Sequence, residues 1–413
     1  MDAELTHRYA STVRRFELPT WPRFESDERA AVEAVLASGR VNAWTGEECA
    51  AFEREWSERF GCGGSIAMAN GSVTLDAALA ALEVGPGDEV IVSPRSYVAS
   101  AACVALRGAT PVFVDVDPDS GNIDPDAVLA AIGPRTRAIL PVHLAGWPAE
   151  MPAIMEIAQR HGLPIVEDCA QAHGARIGNR RVGSFGTFAS WSFCQDKIMT
   201  TGGEGGMLST PDESLWKRCW SLKEHGKSWD AVQTPASVPG FRWLVETHGS
   251  NLRMTEMQAE IGRCQLRKLD DWLDARRRNA NLIRARLGEL PWIRAPWPAA
   301  SIEHAAYKCY VYLVPDEMPR DLDRTKILDA LASAGLPALT GACPEIYLEG
   351  SMREHRPKER LPIAQALGET SLMFPCHHTI DAATAERFAD AVRATLQRAA
   401  DESASPTAAA SRG

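Results

Sequence analysis

Between about residues 62 and 210, short and almost wholly apolar runs alternate with helical stretches, and this alternation constrains the fold more than any other feature. The runs are Glu89–Ser93, Pro111–Asp115, Ala138–Val142 and Pro164–Glu167. A strand with one wet face alternates apolar and polar residues, whereas a strand covered on both faces does not. These runs are therefore read as strands of a parallel sheet with helices on both sides. The intervening stretch Ser72–Glu83 agrees, because Leu75, Ala78, Leu79 and Leu82 recur at the spacing of one helical face. In such doubly wound α/β sheets, ligands collect where strands end and helices begin.

The pattern changes at Thr255. Thr255 and Gln258 have the spacing of a capping box, and no proline interrupts the helical stretch that follows to about Leu287. Beyond it, a strand at 307–314 and helices near 323–333 and 383–398 read as a smaller α+β unit. The expected organisation is an N-terminal extension at 1–20, a large α/β domain at 21–255, a linking helix with a small α+β domain at 256–400, and a disordered tail at 401–413, whose DESASPTAAASRG is too poor in apolar residues to pack.

The composition excludes several classes of function. A 413-residue chain that is 45% hydrophobic and 24% charged has the balance of a globular protein. Its net charge of −10 argues against a general nucleic-acid binder, which needs a basic footprint. No apolar run is long enough to cross a bilayer, and the charged N-terminus lacks a signal-peptide core. A cytoplasmic protein is expected. The ten cysteines are scattered from Cys49 to Cys376 with no CxxC pair, so neither a disulfide framework nor a metal site is expected.

The segment from Ile165 to Gly206 carries the chemistry. One buried strand brings Asp168 to its C-terminal end, and a second apolar run places Lys197 just past its own end. A structural ion pair would account for Asp168 taken alone, since a buried carboxylate needs a cation. An alternative is a carboxylate facing a protonated pyridine nitrogen. An aldehyde cofactor needs a lysine amine to form a Schiff base, an acid to keep its ring an electron sink, and N–H groups for its phosphate. Ala67–Leu82 offers the last of these: Gly71 permits a tight turn, and the N–H groups of Ser72 and Val73 open a helix whose dipole favours an anion. Ordinary N-capping is the commoner explanation of such a turn. Tyr97, just after the next strand, is placed to cover a ring, although burial in a core is the commoner fate of a tyrosine.

Taken together, ANGSVTLDAALAALEVGPGDEVIV, PVFVDVDP, EDCAQAHGA, SFCQDK, GEGG and GSNLRMTEMQA, in this order, resemble the DegT/DnrJ/StrS-type sugar aminotransferases. The resemblance runs from about Trp21 to Ala399. It implies a fold type I pyridoxal-phosphate transferase, with a large, mostly parallel sheet of the seven-stranded type and a smaller C-terminal α+β domain. It also implies pyridoxal 5′-phosphate as cofactor, with Lys197 as the Schiff-base lysine and proton shuttle. Asp168 would pair with the pyridine nitrogen and Gln171 would bond the ring hydroxyl. Tyr97 would stack on the ring, and Ser72, Val73 and Ser192 would hold the phosphate. Asn251 would reach the phosphate of a neighbouring subunit, making a homodimer with shared sites. The implied substrates are a nucleotide-linked keto sugar and an amino-acid donor, L-glutamate, with a keto-cyclitol as the alternative acceptor.

One departure stands out: KIMTTGGEGG carries one glycine more than many family members have between the lysine and the glutamate. A family variant with histidine at the lysine position is a dehydratase, so Lys197 favours transamination. Trp44, Arg253 and His378 are candidate substrate contacts. Arg253 and His378 each have a bland alternative, a salt bridge at the start of the long helix and a loop or strand-end histidine. Glu204 is read as fixing its glycine-rich turn. A cofactor-binding transcriptional sensor and a cofactor-free lysine aldolase are the rival classes; the first lacks a DNA-reading segment, and the second leaves Asp168 unexplained.

Overall fold

The computed structural model describes residues 16–235 and 240–404. Its central sheet contains β1 (Gly64–Met68), β2 (Glu89–Val92), β3 (Thr110–Phe113), β4 (Thr136–Leu140), β5 (Val166–Asp168), β6 (Phe188–Ser192) and β7 (Gly206–Thr210). Parallel bridges from Ile139 to Ile165 and from Val142 to Asp168 join β4 to β5, giving the order β3-β2-β4-β5-β6-β7-β1. Only β7 runs against its neighbours. The all-apolar runs are strands covered on both sides: Val90, Ile91 and Val92 are fully buried, as are Ala138, Ile139 and Leu140. Each expected run starts or ends within one or two residues of an observed strand.

Three helices position the site. Helix α1 (Glu48–Phe60) lays Phe52, Trp56 and Phe60 against Trp191 and Phe193 of the β6 segment, an aromatic cluster that excludes water behind the sheet. Helix α2 (Gly71–Ala81) enters directly from β1. Helix α3 (Glu256–Leu287) is the long uninterrupted helix, and its Thr255–Gln258 capping box is present. The side chain of Glu256 also accepts the N–H groups of Glu48 at 2.5 Å and Cys49 at 3.2 Å. It thereby caps α1 from another element. A Cβ on Gly46 would lie 2.2 Å from that carboxylate, so the close approach requires glycine there.

A second, antiparallel sheet contains β8 (Ile293–Arg294), β9 (Cys309–Leu313) and β10 (Ser371–Phe374). It packs with the C-terminal half of α3 and with α4 (Ala382–Ala404) around Ile283, Val311, Leu372, Phe374 and Phe388. Both ends of the described chain join this core. Phe16 meets Phe388 edge-on at 5.5 Å, and Leu18 packs on the same core, so the described end of the N-terminal extension is part of that core. Helix α4 continues through residues 401–404, because a packed helix carries its last polar turn along; the rest of the expected disordered tail lies outside the described residues. No helix among the described residues is long and apolar enough to cross a membrane.

Candidate active site

The C-terminal ends of β5 and β6 and the start of α2 lie side by side, and they collect most of the expected site residues. Asp168 ends β5 and is 5% exposed. Its Oδ2 accepts the Ser100 hydroxyl at 2.7 Å and its Oδ1 the Ala170 N–H at 3.1 Å. Ser100 shares a hydroxyl contact of 2.9 Å with Ser96. Both donors to this buried carboxylate are therefore neutral. Glu167, beside it, is committed differently: it accepts the N–H groups of Gly183, Phe185 and Gly186 and faces His143 at 3.1 Å. The Ala149 N–H points at His143 Nδ1, which makes Nε2 the protonated nitrogen that donates to Glu167. Although His143, Glu167 and Cys169 cluster at metal-ligand spacing, the glutamate's acceptors are spent on holding backbone.

Gln171 is 7% exposed, and its Oε1 accepts the Ala145 N–H at 2.8 Å. A backbone donor can face only the amide oxygen, which leaves the –NH2 of Gln171 as its donor end. Ala145 has φ 56° and Ala306 φ 50°, left-handed values that non-glycine residues adopt at a cost of about 1 kcal/mol or more. The two strained loops clasp each other, Ala305 N–H to Gly146 O at 2.8 Å and Tyr307 N–H to Ala145 O at 2.9 Å. Gly146 is needed at this crossing, since its φ is 97° and a Cβ would meet Ala306 N at 2.9 Å.

Lys197 follows β6. Its side chain is 16% exposed, and its Nζ lies 3.7 Å from Asp196 Oδ1 and 5.0 Å from the centre of the Tyr307 ring. The Trp21 indole N–H donates to the Lys197 carbonyl at 2.8 Å and fixes its backbone. At the start of α2, Asn70 Oδ1 accepts the N–H groups of both Ser72 and Val73 at 3.0 Å. The N-capping reading is thus correct as far as it goes, and an anion at this terminus would have to share those donors. Gly71 packs so tightly on Ser192 that a Cβ would come within 2.6 Å of the serine Cβ. The Ser192 hydroxyl accepts the Cys194 N–H at 3.3 Å. Tyr97 stands 66% exposed in the loop after β2.

The extra glycine sits in a turn with φ 87° at Gly202 and 120° at Gly203. The turn folds back on the chain before it, with Gly203 bridged to Cys194. The Glu204 carbonyl accepts from Thr201 Oγ1 and, at 2.8 Å, from Gln258 Nε2 of α3, so its backbone holds the turn.

Of the remaining candidates, Asn251 is exposed and bridged to Glu224. Arg253 Nη1 pairs with buried Glu224 Oε2 at 2.7 Å, and the Trp44 indole N–H donates to the same oxygen at 3.0 Å. This cluster organises the Asn251 segment. His378 lies flat on Trp272 at 3.9 Å and edge-on to Trp21 at 4.5 Å. Burial, then the nearby Arg276, pushes it down to about 2. It is a neutral packing group in this arrangement.

Residues 22–393 match the model of the DegT/DnrJ/EryC1/StrS aminotransferase family. The chain belongs to this family. Among solved structures, an aminotransferase from Psychrobacter cryohalolentis superposes with a TM-score of 0.90 at 45% identity, covering 92% of this chain and 99% of that one. The chain is 36% identical to the dTDP-3-amino-3,4,6-trideoxy-alpha-D-glucose transaminase of Streptomyces venezuelae over 91% of this chain and 93% of that protein. It is 39% identical to the L-glutamine:2-deoxy-scyllo-inosose aminotransferase of Streptomyces kanamyceticus over 80% of this chain and 79% of that protein. The protein is thus an aminotransferase with the fold type I architecture, and its relatives act on sugars and on cyclitols.

Several residues that build the site escaped sequence reasoning: Ser100, Trp21, Asp196, Tyr307 and Glu224. Asp196 alone carried a local signal, an acid directly before the lysine in SFCQDK. The others are brought in from distant segments.

Proposed function

We propose that this aminotransferase uses pyridoxal 5′-phosphate, held by Lys197, to transfer an amino group from L-glutamate to a ketone on a nucleotide-linked sugar. The observation that carries the reading is Asp168, a buried carboxylate whose donors are neutral, on the same sheet edge as a mostly buried lysine. A buried anion is stabilised most by a cation, and a protonated pyridine nitrogen would supply one. The donor set fits such a cofactor at its other end as well. The Ser72 and Val73 N–H groups and the Ser192 hydroxyl would hold the phosphate, with the helix field of α2 behind them.

When bound, the cofactor supplies an electron sink for the carbanion at the amino carbon. The chain's own residues do the rest. Asp168 keeps the ring nitrogen protonated, and Ser100 and the Ala170 N–H hold that carboxylate in place. Gln171 donates its –NH2 toward the ring hydroxyl, Tyr97 covers one face, and the Lys197 amine moves the proton. In a homodimer, Asn251 of the partner subunit would complete the phosphate site, and Trp44 and Arg253 would line the sugar's approach.

Borohydride reduction followed by peptide mapping tests this reading. The expected result is a reduced cofactor adduct on Lys197, with Lys197→Ala inactive; no adduct on that amine would sink it. A second reading, a keto-cyclitol acceptor, is favoured by the 39% identity to an inosose enzyme. Parallel assays with nucleotide-linked keto sugars and inosose-type ketones, each with glutamate or glutamine, separate the two. Turnover of the cyclitol alone would replace the sugar reading.

A further inference from the structure

Arg95 lies in the loop between β2 and the helix Ala99–Leu106. It is fully buried, and none of its Nε, Nη1 and Nη2 atoms has a hydrogen-bond partner among the described residues. A guanidinium taken out of water is costly unless an anion faces it. The rings of Tyr310 and Tyr312, centred 5.6 and 5.7 Å from its guanidinium carbon, offset only part of that cost. The acids on neighbouring segments are committed elsewhere. Asp117 accepts the N–H groups of Asp119 and Ser120 and the Ser120 hydroxyl, Asp119 pairs with Arg294, and Glu345 pairs with Arg360.

The loop holds the arginine in this position. The Ser96 N–H donates to Cys343 O at 3.2 Å, and the Ile346 N–H donates to Pro94 O at 2.8 Å. The arginine stem lies directly on Gly121, where a Cβ would come within 3.3 Å of its Cδ and Nε.

Beside it is a cavity of about 20 Å³ whose wall includes Ser120, Leu144, Ala145, Lys308, Tyr310 and Tyr312. The two tyrosines therefore border both the cavity and the guanidinium. Such a space admits about one or two water-sized groups, which suits a carboxylate and excludes a sugar ring or a base. The cavity also adjoins the candidate site. Ala145 is held by Gln171, and Lys308 Nζ lies 5.0 Å from the centre of the Tyr307 ring, the same distance as Lys197 Nζ.

We propose that this cavity receives the side-chain carboxylate of the amino donor, with Lys308 in its wall and Arg95 supplying positive potential from behind the tyrosines. The inference rests on the reading of Lys197 as the cofactor-holding lysine, and it deepens that reading by selecting glutamate over glutamine. Asp119 also lines the cavity, but Arg294 neutralises it. His304, in the same wall, is neutral, since burial and then Arg277 push it down to about 3. The balance of charge favours an anion. Through low-dielectric protein, a charge acts on another across a ring's width without touching it. Arg95 is thus a specificity-determining residue rather than a catalytic one.

The test compares the purified holoenzyme with its Arg95→Met variant, using glutarate as an unreactive dicarboxylate probe. Glutarate should raise the wild-type melting temperature more than sodium chloride does at equal ionic strength, and Arg95→Met should lose that excess. In initial-rate assays Arg95→Met should lower kcat/KM for glutamate about tenfold, the effect of one partly screened charge pair, with kcat/KM for the keto substrate unchanged. A merely structural role would lower both. Arg95→Lys, which keeps the charge, should recover part of the loss, and Lys308→Gln should lower the same constant. An equal glutarate shift in wild type and Arg95→Met, or an equal fall for glutamate and keto substrate, would overturn the proposal. A chloride shift as large as that of glutarate would overturn it in favour of a simple anion site. Borohydride trapping of the wild type separates the two readings: no adduct on Lys197 refutes the parent reading, whereas an adduct with an unmoved glutamate constant refutes only the subsite.

Discussion

Asp168 shows how a single buried side chain depends on partners far away in the chain. Its carboxylate is oriented by Ser100, 68 residues earlier, and Ser100 touches Ser96. Ser100→Ala should therefore lower kcat/KM about tenfold, since a hydrogen bond to a charged group is worth roughly 1.5 kcal/mol or more. Steady-state kinetics beside a melting curve check this, because an unchanged melting temperature assigns the loss to the site. Lys197 and Asp168 could both be read from one contiguous segment because β5 and β6 are neighbours in space as well as in sequence. Ser100 and Tyr307 could not. Nothing in the local pattern of SYVAS or AAYKC tells that a hydroxyl will meet an acid 68 or 111 residues away.

The junction of α1 and α3 shows the same dependence between helices. The Glu256 carboxylate satisfies two N–H groups at the first turn of α1 and sits where that helix's dipole favours an anion. Glu256→Ala should cost about 1–3 kcal/mol by leaving buried donors unpaired, measured as a lower urea midpoint with an unchanged slope. The helix starts themselves were legible: the Thr255–Gln258 box and the Asn70 cap follow from residue type and spacing. The cap on α1 was not, because its residue belongs to a helix that begins 208 residues later. The regular β4 ladder stops at Leu140, two residues before the expected end, although Val142 is still bridged to Asp168 of β5.

Across the whole molecule, buried neutral histidines should weaken the fold in acid. His304 stacks on Trp297 at 4.6 Å, and its Nδ1 accepts the Ala306 N–H at 2.8 Å. Burial, then Arg277, pushes it down to about 3; burial, then Lys197 and Arg276, does the same to His173. The unfolded chain binds protons at these groups below its ordinary value near 6.5, while the native state does not until about 3. Their contribution is complete above about pH 6.5 and is lost as pH falls toward 3, at up to about 1.4 kcal/mol per group per pH unit. Urea midpoints should be flat above pH 7 and fall below pH 6, and His304→Phe should make that fall shallower. The proposed sharing of sites between subunits makes a separate prediction about assembly. Mixed Lys197→Ala and Asn251→Ala chains, each inactive alone, should regain about a quarter of wild-type activity on random reassociation, because half the dimers then hold one intact site. No recovery would show that each site draws on a single chain.

The buried strands of the central sheet, the run of helix α3 and the placing of Asp168 and Lys197 just past strand ends could all be read from patterns within a few tens of residues. Burial on both faces, helical spacing and capping chemistry are local and act at short range along the chain. The Tyr307–Asp196 contact beside Lys197, the hydroxyl behind Asp168 and the carboxylate that caps α1 came only from folding. Each depends on side chains meeting across 68 to 208 residues, and such meetings follow from how the packed elements cross, which local spacing does not encode.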